Sequence, residues 1–537
     1  MTERASDDPK LRDKLRRLLF QTGSLVSKKK SDQESVYESY YDFRESIQRI
    51  PGHRILAINR GEKQGILSVK LEMDDDLAVE HIRMFFDPSN ATDSHIQEVS
   101  KDAWKRLILP SLSTEIRGAL TEQAQARALD IFAANLHSLL MVPPLRGFTV
   151  LAIDPAFRTG CKLAVVDPTG KLLHTQVIYP TPPQNKVKEA SDVLLICVKK
   201  YAVDTIAIGN GTASAETRTF VAEAIKTHAI DVKVFMVNES GASVYSASEL
   251  AAEEFPQLDL TQRSAVSIAR RLQDPLAEYV KIDPKSIGVG QYQHDMHAGT
   301  LSHRLAGVVE SCVNDVGVDL NTASPSLLSY VSGITAPVAK NIVAYREKHG
   351  AFSSRKQLTE VSRLGPKVFE QCAGFLRVPN GQEPLDNTRI HPESYIVARE
   401  VMKTEKPYDI EKLAVTFSVG VPTLKDIVAA LENPGYDPRS QYAQPQSDSG
   451  VTDIKDLREG MTLQGVVRNV SAFGAFVDIG VHQDGLVHIS EMADHYVSDP
   501  MKEVRVGQQV NVRVIQVDVP RKRISLSMKT MKKSGDG

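Results

Sequence analysis

The sequence predicts a multidomain chain, α and α/β with a C-terminal β-barrel. Three observations predict it. Short strand-like runs separated by turn residues crowd the segment after residue 458. Alternating strand and helix patterns fill residues 147–280, and between the two lies a helical segment that repeats a short turn motif around Val331 and Val361. A length of 537 residues suits about three or four domains. A hydrophobic content of 42% and a charged content of 25% are those of ordinary globular chains. Formal net charge is −2, so affinity for a polyanion has to come from local patches and not from the global field. The four cysteines, Cys161, Cys197, Cys312 and Cys372, form no CxxC pair and lack zinc-finger spacing, which reads as a reduced, cytoplasmic chain. No apolar run reaches the ~18–20 residues that cross a bilayer, and the first residues are too polar for a signal peptide.

Residues 1–146 read as a helical region with a small strand pair. Leu15, Leu18 and Leu19 belong to a basic helix, while His53 to Glu62 and Gly65 to Leu71 read as the two strands. From Thr114 to Met141 the residues Ile116, Leu120, Ala124, Ala128, Ile131, Leu136 and Leu139 keep a helical period, ended by Pro143-Pro144.

Residues 147–280 read as one α/β domain. Strands are expected over 148–154, 161–167 and 171–178, joined by turns. Helix 184–200, strand 205–209, helix 214–228, strand 232–237 and a helix over 261–273 follow. Three hairpin-linked strands followed by alternating helix and strand is the order of an RNase H-like domain.

Residues 281–380 carry two similar turns, Val331-Ser-Gly333-Ile334-Thr-Ala-Pro-Val338 and Val361-Ser-Arg-Leu364-Gly365-Pro366-Lys367-Val368. Each reads as helix, tight glycine turn and a second helix with an exposed N-terminus, a helix-hairpin-helix bundle. Backbone N–H groups and the helix dipole at such a terminus suit a phosphate oxygen, with Gly333 and Gly365 making the turns and Lys340 and Lys367 beside them. Within residues 340–377, Lys340, Arg346, Lys348, Arg355, Lys356, Arg363, Lys367 and Arg377 stand against three glutamates. A small helical domain over 381–432 and a Pro-, Gln-, Ser- and Gly-rich flexible linker over 433–457 follow.

Residues 458–530 hold five short strands, the spacing of a Greek-key barrel of OB-fold type. Phe473 and Phe476, three apart around Gly474, can place two rings at one surface for base stacking. Arg505, Arg513, Arg521, Lys522, Arg523, Lys529, Lys532 and Lys533 face a single acid, Asp518, in a stretch that attracts phosphate.

This last pattern resembles the S1-type RNA-binding domain, and Leu151-Ala-Ile153-Asp154-Pro155-x-x-Arg158-Thr159-Gly160 resembles the YqgF branch of the RNase H-like fold. In this order the parts resemble the Tex family of bacterial transcription accessory proteins. Tyr40-Tyr41-Asp42-Phe43, His53 to Glu62, Gly209 to Ala213, Gln293-His294-Asp295 and His391 to Tyr395 support this over essentially the whole chain. The resemblance implies a nucleic-acid binder acting in transcription. It maps the S1 surface onto Phe473, Phe476, His488, Asp518 and Arg523. The rings stack bases, His488 stacks or hydrogen-bonds, Arg523 meets phosphate or a base, and Asp518 orients a basic neighbour. It also leads us to expect that the family's N-terminal helical region is missing before residue 1.

Two acids raise a competing reading, a metal-dependent, structure-selective nuclease. Asp154 ends the first strand of the RNase H-like domain, and Glu239 follows its last strand. Against this, Asn210 stands where resolvase-like relatives carry an acid. Gln262 and Arg263 occupy the region of a third, and Asp274 precedes Pro275 at a helix end. His294, Asp295, His297 and His303 read as polar helix caps in preference to a metal cluster, and no Walker or Rossmann fingerprint occurs. The expectation is an RNA-binding and DNA-binding monomer that needs no cofactor, Mg²⁺ entering only under the nuclease reading. A third reading is a scaffold docking RNA polymerase or ribosomes.

Overall fold

The structure, a computed structural model, describes residues 1–87, 94–290, 293–404, 406, 408–442, 457–479, 481, 483–518 and 523–529. Arg521, Lys522, Lys532 and Lys533 of the basic stretch and residues 443–456 of the expected linker lie outside them. The chain divides into two compact units. One comprises residues 1–132, 290–301 and 471–473, the other residues 133–289, 302–470 and 474–537.

The first unit opens with α1 (Thr2–Asp7) and α2 (Pro9–Thr22), then β1 (Ser24–Lys29), β2 (Asp42–Ser46), α3 (Gly52–Lys63), β3 (Leu67–Glu72), α4 (Asp75–Phe86) and α5 (Ser94–Asp102). A π-helical stretch, Ala103–Ile108, leads into the 32-residue α6 (Leu109–Leu140). Asp8 caps α2, and Leu11, Leu15 and Leu19 form its buried stripe at four-residue spacing. Trp104 is fully buried and donates its indole N–H to Asp75 at 2.7 Å, which satisfies the one polar atom of a large apolar body. The sheet order is β2-β1-β3, antiparallel throughout. The expected strand over His53 to Glu62 is corrected: these residues lie in α3. Ile55, Leu56, Ala57, Ile58 and Gly61 are all buried, so packing on several sides erases the one-faced period that marks a helix.

The second unit holds an α/β domain. Its elements are β4 (Val150–Asp154), β5 (Cys161–Val166), β6 (Leu172–Ile178), α7 (Val187–Lys200), β7 (Thr205–Gly209), α8 (Ser214–His228), β8 (Lys233–Val237), α9 (Ala242–Ser246), α10 (Glu249–Glu254), α11 (Leu260–Gln273) and α12 (Pro275–Tyr279). The sheet runs β6-β5-β4-β7-β8. β4, β5 and β6 pair antiparallel and β4, β7 and β8 parallel, the RNase H-like arrangement. β4, β5 and β7 are almost wholly buried because helices cover both faces of the sheet.

The helical part follows with α13 (Ala298–Val316), β9 (Val318–Asp319), α14 (Pro325–Leu328), α15 (Ala336–His349), α16 (Pro366–Cys372), β10 (Leu376–Arg377), α17 (Tyr395–Lys403), α18 (Ile410–Phe417) and α19 (Val421–Glu432). The first part of the expected linker is folded. Pro438–Gln441 form a 3-10 turn, and Arg439, fully buried, bridges Asp274 at 2.7 Å and Asp437 at 2.8 Å. The barrel comprises β11 (Thr462–Ser471), β12 (Gly474–Asp478), β13 (Gly485–His488), α20 (Pro500–Glu503), β14 (Gln509–Asp518) and β15 (Arg523–Ser527). It closes in the order β11-β12-β13-β15-β14 around Val467, Ala475, Val477, Val487, Val512 and Leu526. Closure removes free sheet edges. Among the described residues no single helix is long and apolar enough to cross a membrane, and all four cysteines are buried and unbridged.

Candidate nucleic-acid interface

Alternation along β12 points Ala475 and Val477 into the barrel core and Phe476 outward. Phe476 pairs in register with Leu486, and Leu486 with Ser525 on β15. Cross-strand partners share a face, so His488, two residues beyond Leu486, and Arg523, two before Ser525, stand on the same outer face as Phe476. His488 and Arg523 are exposed. The His488 Nδ1 accepts the Ser490 N–H at 3.3 Å and caps the turn that follows, which fixes the ring. Asp518 pairs in register with Arg523. Phe473, just before β12, packs its ring 4.9 Å from that of His53. Of the basic stretch, Lys529 reaches Glu491 at 3.5 Å and Arg505 lies over the Tyr442 ring.

In the helical part both hairpin turns are exposed, while Val331, Ile334, Val361 and Leu364 anchor them from beneath. Gly333 holds φ 82°, and any side chain there would meet Gln371 Cβ at 2.8 Å. The expected equivalence of Gly365 is corrected. Gly365 has φ −78° and is the N-cap of α16, and the left-handed residue of the second turn is Arg363 at φ 67°. Aligned on the buried residues, Val331-Ser-Gly-Ile matches Val361-Ser-Arg-Leu, which puts Gly365 opposite Thr335. Lys340, Lys356, Arg363 and Lys367 are exposed beside the turns. Arg346 and Arg355 are not surface cations. Arg346 donates to the Leu320 and Ala323 carbonyls. Arg355, 1% exposed, donates to the carbonyls of Leu376, Thr388 and Ile390 and to the Tyr395 hydroxyl. Arg377 is also buried. Sequence composition counts such cations but cannot tell which of them fold inward.

The acid pair lies at the carboxyl end of the central strands. Burial pushes the Asp154 carboxyl above the usual range, with the Ser264 hydroxyl of α11 and the Lys162 charge opposing. Glu239 lies over Gly209 and Gly211, where a Cβ on Gly211 would meet its Oε1 at 1.6 Å. Gly209-Asn-Gly211 is therefore a cradle for a carboxylate. Burial first, then the Asp154 charge, push Glu239 above its ordinary value, against the Gly211 N–H and the charges of Arg271 and Arg468. Glu239 Oε2 is enclosed without a hydrogen-bond partner. Asn210 is spent on the backbone: its Oδ1 accepts the Glu239 N–H at 3.2 Å. Arg468 from β11 donates to the Asn210 carbonyl at 3.1 Å. Sequence reasoning missed Arg468, which carries no local signal.

This donor set does not fit a divalent metal pair. It offers two carboxylates, with the Arg468 guanidinium fixed alongside. Among the described residues no three His, Cys, Asp or Glu side chains are grouped to hold a metal. Other candidates are accounted for structurally. Asp274 caps α12 and pairs with Arg146 and Arg439. Gln262 forms a capping box with Asp259, and Arg263 donates to the Phe255 carbonyl. Asp295 pairs with Arg60, and His297 accepts the Thr300 N–H at 3.4 Å near the start of α13.

Comparison with known proteins agrees with this architecture. Residues 1–132 match a Tex central region-like model, 148–273 the Tex protein YqgF-like domain, 313–377 a helix-hairpin-helix motif, 383–439 an HHH domain and 456–529 the S1 RNA binding domain. The first match corrects the expected loss of an N-terminal region, since residues 1–132 are themselves a defined part of the family. YdcI of Bacillus subtilis is 49% identical, over 98% of this chain and 76% of that protein. Protein tex of Bordetella pertussis is 46% identical over 98% and 71%. Transcriptional accessory protein Tex of Neisseria gonorrhoeae is 44% identical over 98% and 72%. With the RNase H-like sheet, the paired hairpins and the closed barrel in the same order, these matches show that the chain belongs to the Tex family.

Proposed function

We infer that this chain is a nucleic-acid-binding transcription accessory protein, acting in transcription or RNA metabolism, with RNA as its first ligand and DNA as its second. The observation that carries this reading is the shared outer face of β12, β13 and β15. It presents Phe476, His488 and Arg523 together: an aromatic platform, a fixed imidazole and a cation. The exposed hairpin turns add sequence-independent phosphate contacts through Gly333, Gly365, Lys340 and Lys367. The names of the Bordetella and Neisseria relatives support the placement in transcription. The RNase H-like domain serves binding or architecture and not cleavage, a reading supported by Arg468 beside the acid pair.

Titration with single-stranded RNA, single-stranded DNA and duplex at several salt concentrations tests the function. Binding that weakens linearly in log salt is expected, tightest for RNA. Absence of salt-dependent binding to all three would overturn it and favour a protein-docking scaffold.

A further inference from the structure

Arg377 lines a cleft of about 430 Å³ behind the first hairpin turn, a size within the roughly 300–1,000 Å³ of small-molecule sites. The residue is 7% exposed, and its guanidinium has no hydrogen-bond acceptor or carboxylate partner among the described residues, Nη2 being fully enclosed. A buried, unpaired cation is strongly unfavourable unless something neutralises it. A second guanidinium, that of Arg389, lines the same cleft, exposed and donating to the Asp315 carbonyl. Burial, then the charges of Arg389 and Arg355, hold Arg377 down at about 10. Asp437 acts in the other direction, but its carboxylate is bound to Arg439 at 2.8 Å. Asp315 and Glu370, also on the lining, are exposed, and neither forms an ion pair with Arg377.

The cleft shares its wall with the hairpin. Asn314 Nδ2 donates to Ser332 Oγ at 3.0 Å, and the Ser332 N–H donates to Asn314 Oδ1 at 3.2 Å. Gln371, another lining residue, closes over Gly333. We propose that this cleft is a phosphate-monoester site, with Arg377 at its base and Arg389 beside it, taking the end phosphate of a nucleic-acid strand or the phosphate of a free nucleotide. Two guanidinium forks offer the planar, multi-donor geometry that a dianionic monoester accepts. The choice of phosphate over other anions rests on the nucleic-acid reading of the hairpin.

The test uses the full chain and one oligonucleotide sequence carrying a 5′-phosphate, a 3′-phosphate or hydroxyl ends, with AMP and inorganic phosphate as separate probes. One phosphorylated end is expected to bind about tenfold tighter than the hydroxyl-ended strand. Arg377→Met should abolish that difference and leave hydroxyl-ended binding unchanged. If AMP or phosphate raises the Tm of the wild type but not of Arg377→Met, and strand ends make no difference, the source is a free phosphate compound and the site stands. No end preference together with no Tm response to AMP or phosphate in the wild type overturns the proposal, whatever the hydroxyl-ended strand does. Failure of the hydroxyl-ended strand to bind speaks only against the hairpin and barrel reading. Should Arg377→Met not fold, Arg389→Ala with the wild-type phosphate titration decides the same question.

Discussion

Arg468, on the first strand of the barrel, donates from Nη2 to the Asn210 carbonyl at 3.1 Å, joining residues 258 apart in sequence. Asp478 at 2.8 Å and Asp484 at 3.3 Å hold the same guanidinium. Burial works against its charge, and these two acids outweigh that, so the side chain stays firmly protonated beside Glu239. A permanent cation there competes with any divalent ion for the carboxylates. Junction, flap and single-stranded substrates incubated in Mg²⁺ or Mn²⁺ are therefore expected to remain intact. Metal-dependent products that disappear in Asp154→Asn would overturn this reading and promote the nuclease.

Glu239 gives a pH prediction with a definite sign. Its folded carboxyl titrates above the ordinary 4.5, so between the two values the folded state holds more protons than the unfolded one. Stability from this group is full below 4.5 and is lost as pH rises through the raised value. Glu239→Gln removes the titration and keeps the shape. The variant is expected to melt higher than wild type at pH 7, with the gain shrinking as pH falls toward 4.5. A difference in Tm that is flat with pH, or that grows toward acid, sinks the argument.

How much of this was legible in the chain follows from where each signal resides. The RNase H-like strands are short periodic runs between turn residues, and local pattern places them within about three residues of their observed bounds, while the barrel strands are legible as five short runs after residue 458. Residues 53–62 failed because α3 buries Ile55, Leu56, Ala57 and Ile58 in succession, a run that reads equally as a strand. Gly365 departs because a glycine was expected to make each turn, whereas with the buried Val331 and Val361 in register the residue opposite Gly333 is Arg363. Arg355, Arg439 and Arg468 were illegible because each has a partner far off in the chain, Leu376, Asp274 and Asn210 respectively, that no local pattern announces. Glu239 was chosen for its position, but nothing local announced that two glycines make room for it.

The two hairpin glycines are expected to respond differently. Gly333→Ala forces a side chain into φ 82° and against Gln371, which should cost about 1–3 kcal/mol of stability. Gly365→Ala, with φ −78° and open space around it, should stay within about 0.5 kcal/mol of wild type. Lys340→Glu with Lys367→Glu should leave folding intact and weaken duplex binding equally across sequences, since phosphate contacts carry no base information. Denaturant melts and duplex titrations read both effects. Equal costs for the two alanines would refute the revised register, and unchanged duplex affinity would make the hairpins a protein-docking surface.

The barrel prediction separates its two aromatic rings. Phe476 sits in mid-strand on the outer face, whereas one side of Phe473 is engaged by the His53 ring at 4.9 Å. Base stacking is worth about 1–3 kcal/mol per ring, so Phe476→Ala should lose about that much affinity for single-stranded RNA. Phe473→Ala should lose less, because its ring is partly committed already. Arg523→Ala should lower the slope of log affinity against log salt by roughly one, the signature of one phosphate contact. Anisotropy titrations on variants with wild-type circular dichroism check all three. A larger loss at Phe473 than at Phe476 would mean that His53 positions the ring for RNA and does not occupy it. If the double phenylalanine variant binds like wild type, the barrel face is not the RNA surface, because no other aromatic platform joins His488 and Arg523 across these three strands.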